Sequence, residues 1–250
     1  MIDDGWIDEV RAERIKEAIE HLRQAVRSDA HYPSNYRSLG AAYMWSGDYQ
    51  SALTHFEEQI RAKLHRNPPS DAVYGMAGAA AWCLGEEKAA LKYWRQGTSP
   101  GYAEAGANSR TSLLLYAASV LEPDTLPIEV PEKLLREKAS HWRVKNWPGP
   151  VAQYVIDAAT EEEVETKAVY RDCDLSFPNS KSWQFDFYKL LKASASAGNR
   201  RHTLQNGLLH LVNVKGSEYV AGKKFFYFLR LEEFYLARAW LSKQSSPQWS

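Results

Sequence analysis

Seven histidines, two cysteines and a run of three glutamates are the side chains here that could bind a metal, attack a carbonyl or move a proton. Their spacing decides whether they do. His21, His31, His55, His65, His141, His202 and His210 include no pair at metal-ligand spacing beside a Glu or Cys. "HFEEQ" at His55 has Gln59 where a zinc-hydrolase helix needs its second His. Such single histidines read as surface or partly buried structural residues. Cys83 and Cys173 stand 90 positions apart, which signals neither a disulfide framework nor a zinc site. "AGKKFF" lacks the preceding glycine and the following Ser/Thr of a phosphate loop, and no Gly-x-Ser-x-Gly elbow occurs. Glu161, Glu162 and Glu163 imitate a carboxylate cluster, but the dipole of a helix beginning there accounts for them. No catalytic residue, metal ligand or cofactor site is expected, and the chain reads as non-enzymatic.

Composition narrows the remaining classes. Lys plus Arg and Asp plus Glu are each 31, a formal net charge of zero. That balance argues against a nucleic-acid or anionic-membrane binder, which needs excess cationic side chains to displace counterions. The first 20 residues, "MIDDGWIDEVRAERIKEAIE", are acidic where a secretion signal is positive. No stretch approaches the roughly 18–20 uninterrupted apolar residues of a membrane span. The expectation is a soluble, cytoplasmic protein whose 250 residues suffice for one large or two small domains.

The elements that would position a site come from a repeat. "LGAAYMWSGDYQSALTHF" (39–56) aligns with "MAGAAAWCLGEEKAALKYW" (76–94) at a fixed offset of 38, which carries Gly40 to Gly78, Gly47 to Gly85, Ala52 to Ala90, Leu53 to Leu91 and Phe56 to Trp94. Tyr36 falls on Tyr74 by the same step. Small Gly40 and Gly78 allow close helix approach, and Phe56 or Trp94 fills the gap beyond. Each hairpin leaves an apolar face that only a stacked neighbour can cover.

The series Tyr36, Leu39, Gly40, Tyr43, Ala52, Phe56 resembles a tetratricopeptide (TPR) repeat. The second copy departs from that pattern at Ala77 and Ala81, and its longer period fits the linker "HRNPPS", in which Pro68 and Pro69 stop a helix and Ser70 can cap the next.

Helices are predicted over about 9–27, 34–46, 49–65, 71–84, 87–96 and 103–120, broken at Gly47, Gly85 and Gly97. "LEPDTLPIEVP" (121–131) reads as a linker. Short helices follow at about 132–142, near Val151, and after Thr160, whose capping box closes on Glu163. The Trp-Pro-x-Pro-Val opening at Trp147 resembles the segment before the last hairpin of some bacterial TPR proteins. That hairpin, at an offset of 151, carries Leu39 to Leu190, Leu53 to Leu204 and Gly47 to Gly198 but replaces Gly40 with Leu191 and Phe56 with Gly207, so its packing must differ. Phe225, Phe228, Leu229, Leu231, Leu236 and Trp240 then form the apolar face of a terminal helix. It would cover the open end of the array.

The fold class expected is all-α: a TPR-like right-handed helical-hairpin solenoid over residues 1–122, and a helical part over 131–250 with a degenerate hairpin and a closing C-terminal helix. The resemblance implies that the first helix of each hairpin lines a concave groove. Its positions there are Arg37, Ala41, Met44 and Trp45 in one repeat and Gly75, Ala79, Trp82 and Cys83 in the next, with Tyr188 and Lys192 from the last hairpin. The competing reading packs both tryptophans into the core. The implied function is an adaptor that binds a partner protein or peptide in the groove, and the alternative is a bacterial toxin-neutralising immunity protein.

Overall fold

The computed structural model of the chain describes residues 4–29, 32–61, 70–98, 109–139, 145–168, 178–197, 200–215 and 232–245. Among these, all regular structure is helical. In chain order the α-helices are α1 (Asp4–Ser28), α2 (Pro33–Ser46), α3 (Tyr49–Arg61), α4 (Asp71–Cys83), α5 (Glu87–Gly97) and α6 (Ser109–Leu121), then α7 (Glu129–Ala139), α8 (Gly149–Val155), α9 (Glu161–Ala168), α10 (Pro178–Ala195), α11 (Arg200–Leu209) and α12 (Glu232–Ser245). A π-helical segment, His210–Lys215, continues α11. No helix of the described residues is long and apolar enough to cross a membrane.

The two sequence copies close their turns the same way. Gly47 and Gly85 adopt φ of +82° and +78°, a left-handed conformation that glycine takes without strain. In both, the next residue's N–H reaches back five positions, Asp48 to Tyr43 O at 3.0 Å and Glu86 to Ala81 O at 2.9 Å, which satisfies carbonyls left over at the helix end. Antiparallel packing of α2 on α3 and of α4 on α5 then brings the repeat's marker residues together. A Cβ on Gly40 would stand 2.6 Å from Phe56 Cε1, and one on Gly78 would stand 2.2 Å from Trp94 Nε1. Each glycine therefore makes room for the partner helix's aromatic ring. In the last hairpin the glycine is on the second helix and its partner is the counterpart of Leu39: a Cβ on Gly207 would meet Leu190 Cδ1 at 2.5 Å.

Several local expectations shift. Gly97 ends α5 as expected but without a left-handed turn, and a Cβ there would meet Thr111 Cγ2 of α6 at 2.5 Å. Ser70 occupies the N-cap of α4 with extended backbone but makes no side-chain cap bond. The linker ends early, because α7 starts at Glu129 and accommodates Pro131 in its first turn, where a missing N–H costs nothing. The Thr160 capping box forms as expected: Glu163 N donates to Thr160 Oγ1 at 3.2 Å and Thr160 N to Glu163 Oε2 at 2.7 Å. Gly198, Cys173, Pro68, Pro69 and the Phe225–Leu231 stretch lie outside the described residues.

α6 is the central element. Every residue from Thr111 to Leu121 is buried, as expected of a helix apolar on all sides. Its C-terminal carbonyls are taken by the carboxyl half of the chain: Arg200 Nη2 donates to Ser119 O at 3.0 Å and Trp240 Nε1 to Leu121 O at 3.1 Å. One cluster of buried side chains runs from Leu39 to Trp240 and includes Leu126, between the two stretches read from sequence.

Candidate functional site

The α4 wall of the expected groove is occupied by the chain's own α12. At one end, a Cβ on Gly75 would stand 2.8 Å from Glu232 Oε1. Farther along, the Cys83 thiol donates to Tyr235 O at 3.7 Å, and the Lys243 ammonium lies 5.4 Å over the Trp82 ring while also pairing with Glu87. Burial pushes the Cys83 thiol up to about 12 against the opposing charges of Arg238 and Lys243, which keeps it in the thiol form at neutral pH. Trp82, 1% exposed, is sandwiched between this helix and Trp94, whose ring centroid is 5.8 Å away. Ala79 is buried beside it.

On α2, Ala41 and Met44 are buried in the core, whereas Arg37 and Trp45 are half-buried. Trp45 packs one side against the core cluster. Tyr188 is buried, and Lys192 is engaged within the carboxyl half: its Nζ donates to Tyr154 O at 2.5 Å and Asp157 Oδ1 at 2.6 Å and lies 4.2 Å from the centre of the Tyr154 ring. The hydrogen bond from Lys192 holds the Asp157 carboxyl below its usual range. The ten positions thus do not share one open surface. Arg37, Trp45, Cys83 and Lys192 are half-buried, and the other six are buried.

A buried polar cluster anchors the start of α12. Arg110 of α6 donates through Nη1 to both carboxylate oxygens of Glu232, at 3.1 and 3.0 Å. Glu233 points to α10, where its Oε1 accepts from Gln184 Nε2 at 2.6 Å and Tyr188 OH at 3.1 Å. The Gln184 amide is oriented by Trp147, whose indole N–H can only donate and does so to Gln184 Oε1 at 2.6 Å. Glu233 Oε2 is buried with no hydrogen-bond partner among the described residues. Burial, reinforced by the Glu232 charge next door, raises the Glu233 carboxyl to about 7; burial also raises Glu232, with Arg110 opposing. Among the described residues, no group of three or more His, Cys, Asp or Glu is placed to hold a metal ion.

Sequence reasoning passed over Arg110, Glu232 and Glu233. A signal existed: Glu232 precedes Leu236 and Trp240 at four-residue steps, so an acidic residue sat on the apolar face of the closing helix. A carboxylate on such a face calls for a buried partner. Compared with family models, curated proteins and solved structures, the chain matches none.

Proposed function

We infer that the chain is a non-enzymatic interaction adaptor of TPR-like architecture, which holds a peptide segment or partner protein against the inner wall built by α2 and α4. The observation that supports it best is α12 itself. A helix lies along α4 with an acidic residue gripped by Arg110, a backbone carbonyl at Cys83 and a lysine over Trp82, so this wall accommodates a helix by chemistry open to a partner segment too. Next to it, half-buried Arg37 and Trp45 offer the residue types that dominate interface hot spots.

The test is capture of the partner from native lysate, followed by titration calorimetry with Arg37→Glu and Trp45→Ala beside their melting temperatures. Each anchor is expected to cost about 2 kcal/mol of binding, roughly thirtyfold in Kd, with melting nearly unchanged. Full affinity in both variants would remove the α2 wall as the binding surface.

A further inference from the structure

The polar cluster at the start of α12 has a charge balance that depends on one proton. Facing Glu233 are Glu232 on its own helix, Arg110 from α6, and the neutral donors Gln184 and Tyr188 from α10. Asp71 of α4 faces both Arg110 and Glu232, and Lys138 of α7 faces Asp71. Arg110 is already paired with Glu232, so ionising Glu233 adds a second buried carboxylate charge beside that of Glu232.

The geometry also assigns the proton. Gln184, fixed by Trp147, and Tyr188 both donate to Glu233 Oε1. A proton on the carboxyl therefore resides on Oε2, the oxygen without a partner among the described residues. Losing it to bulk water leaves a buried carboxylate whose second oxygen has no donor, and such charges are strongly disfavoured in a low-dielectric site.

The geometry points to Glu233 as a proton-operated latch: protonated, it seats α12 on α4 and α10; ionised, it loosens that seat and bares the α4 wall around Gly75, Trp82 and Cys83. The sign follows from linkage. A group whose docked form holds its proton more tightly stabilises the docked form fully at pH below its free value of 4.5, and that stabilisation is lost as the pH rises to about 7. The latch concerns the seat of α12 alone and stands whether or not the wall takes a partner.

Hydrogen exchange of the full-length chain tests it, from about pH 4 to about pH 8.5, corrected for intrinsic exchange, with amides of α2 and α3 as internal reference. Protection in α12 is expected to fall by up to about tenfold per pH unit between pH 4.5 and about 7 and then to level, while α2 and α3 stay flat. Glu233→Gln, neutral at every pH, is expected to remove the dependence. Flat protection of α12 in the parent overturns the latch. So does an equal fall in α2 and α3, which would make the transition global, or an unchanged fall in Glu233→Gln. Should Glu233→Gln fail to fold, the parent series decides by itself.

Discussion

Arg110 and Glu232, 122 positions apart, meet in a two-oxygen ion pair that joins the buried central helix to the first turn of the closing helix. The Glu232 side chain is 1% exposed and that of Arg110 is 31% exposed. Removing one partner strands the other charge, whereas replacing both with apolar side chains removes the desolvation cost along with the attraction. Arg110→Met is expected to cost about 3 kcal/mol, the lower end of the range for breaking a buried pair because water reaches the guanidinium. Arg110→Met combined with Glu232→Leu is expected to recover most of that loss. Denaturant unfolding of the two single variants and the double variant measures the coupling; additive losses would mean that the pair contributes no interaction of its own.

A second expectation concerns glycines that look alike in sequence. Gly78 has ordinary backbone but no room, since Trp94 Nε1 would lie 2.2 Å from an added Cβ and is itself bonded to Gly75 O at 3.1 Å. Gly47 has room on every side within 4 Å but a φ of +82°. Gly78→Ala is expected to cost about 1–3 kcal/mol by overpacking, and Trp94→Phe in the same chain to relieve part of it. Gly47→Asn is expected to be nearly neutral, because Asn tolerates the left-handed region. Thermal unfolding separates the two, and a harmless Gly78→Ala would show that the helix pair can spread.

Trp82 and Trp45 are expected to diverge. Truncating a buried tryptophan costs about 3–5 kcal/mol, and a chain of this size loses about 2–4 °C of Tm per kcal/mol. Trp82→Ala is expected to lower Tm by about 6 °C or more, and Trp45→Ala, half-buried, by clearly less. Equal losses would place Trp45 in the core as firmly as Trp82.

Local features were legible because their causes lie within a few residues. The 38-residue offset predicts the hairpins through Gly47 and Gly85, and the partnership of Gly40 with Phe56 and of Gly78 with Trp94 follows from the same register. Thr160 and Glu163 announce their capping box at a spacing of three. Where a cause lay outside the local pattern, a neighbouring helix supplied it: Gly97 marks the end of α5, and Thr111 of α6 is what requires its missing side chain.

By itself, then, the sequence determined helical content, the hairpin turns and the apolar faces awaiting cover, since each follows from backbone preferences and from periodicity within one or two helices. Only the tertiary structure decided what covers those faces. Period and composition mark α12 as a helix with an apolar face to bury, but they do not say which helices it packs on, because burial of apolar area is non-directional. Directional contacts made that choice: the grip of Arg110 on Glu232, the donors of α10 on Glu233, and the bond of Trp240 to the end of α6. Such bonds join residues more than a hundred positions apart or set in different helices, and no local pattern records them.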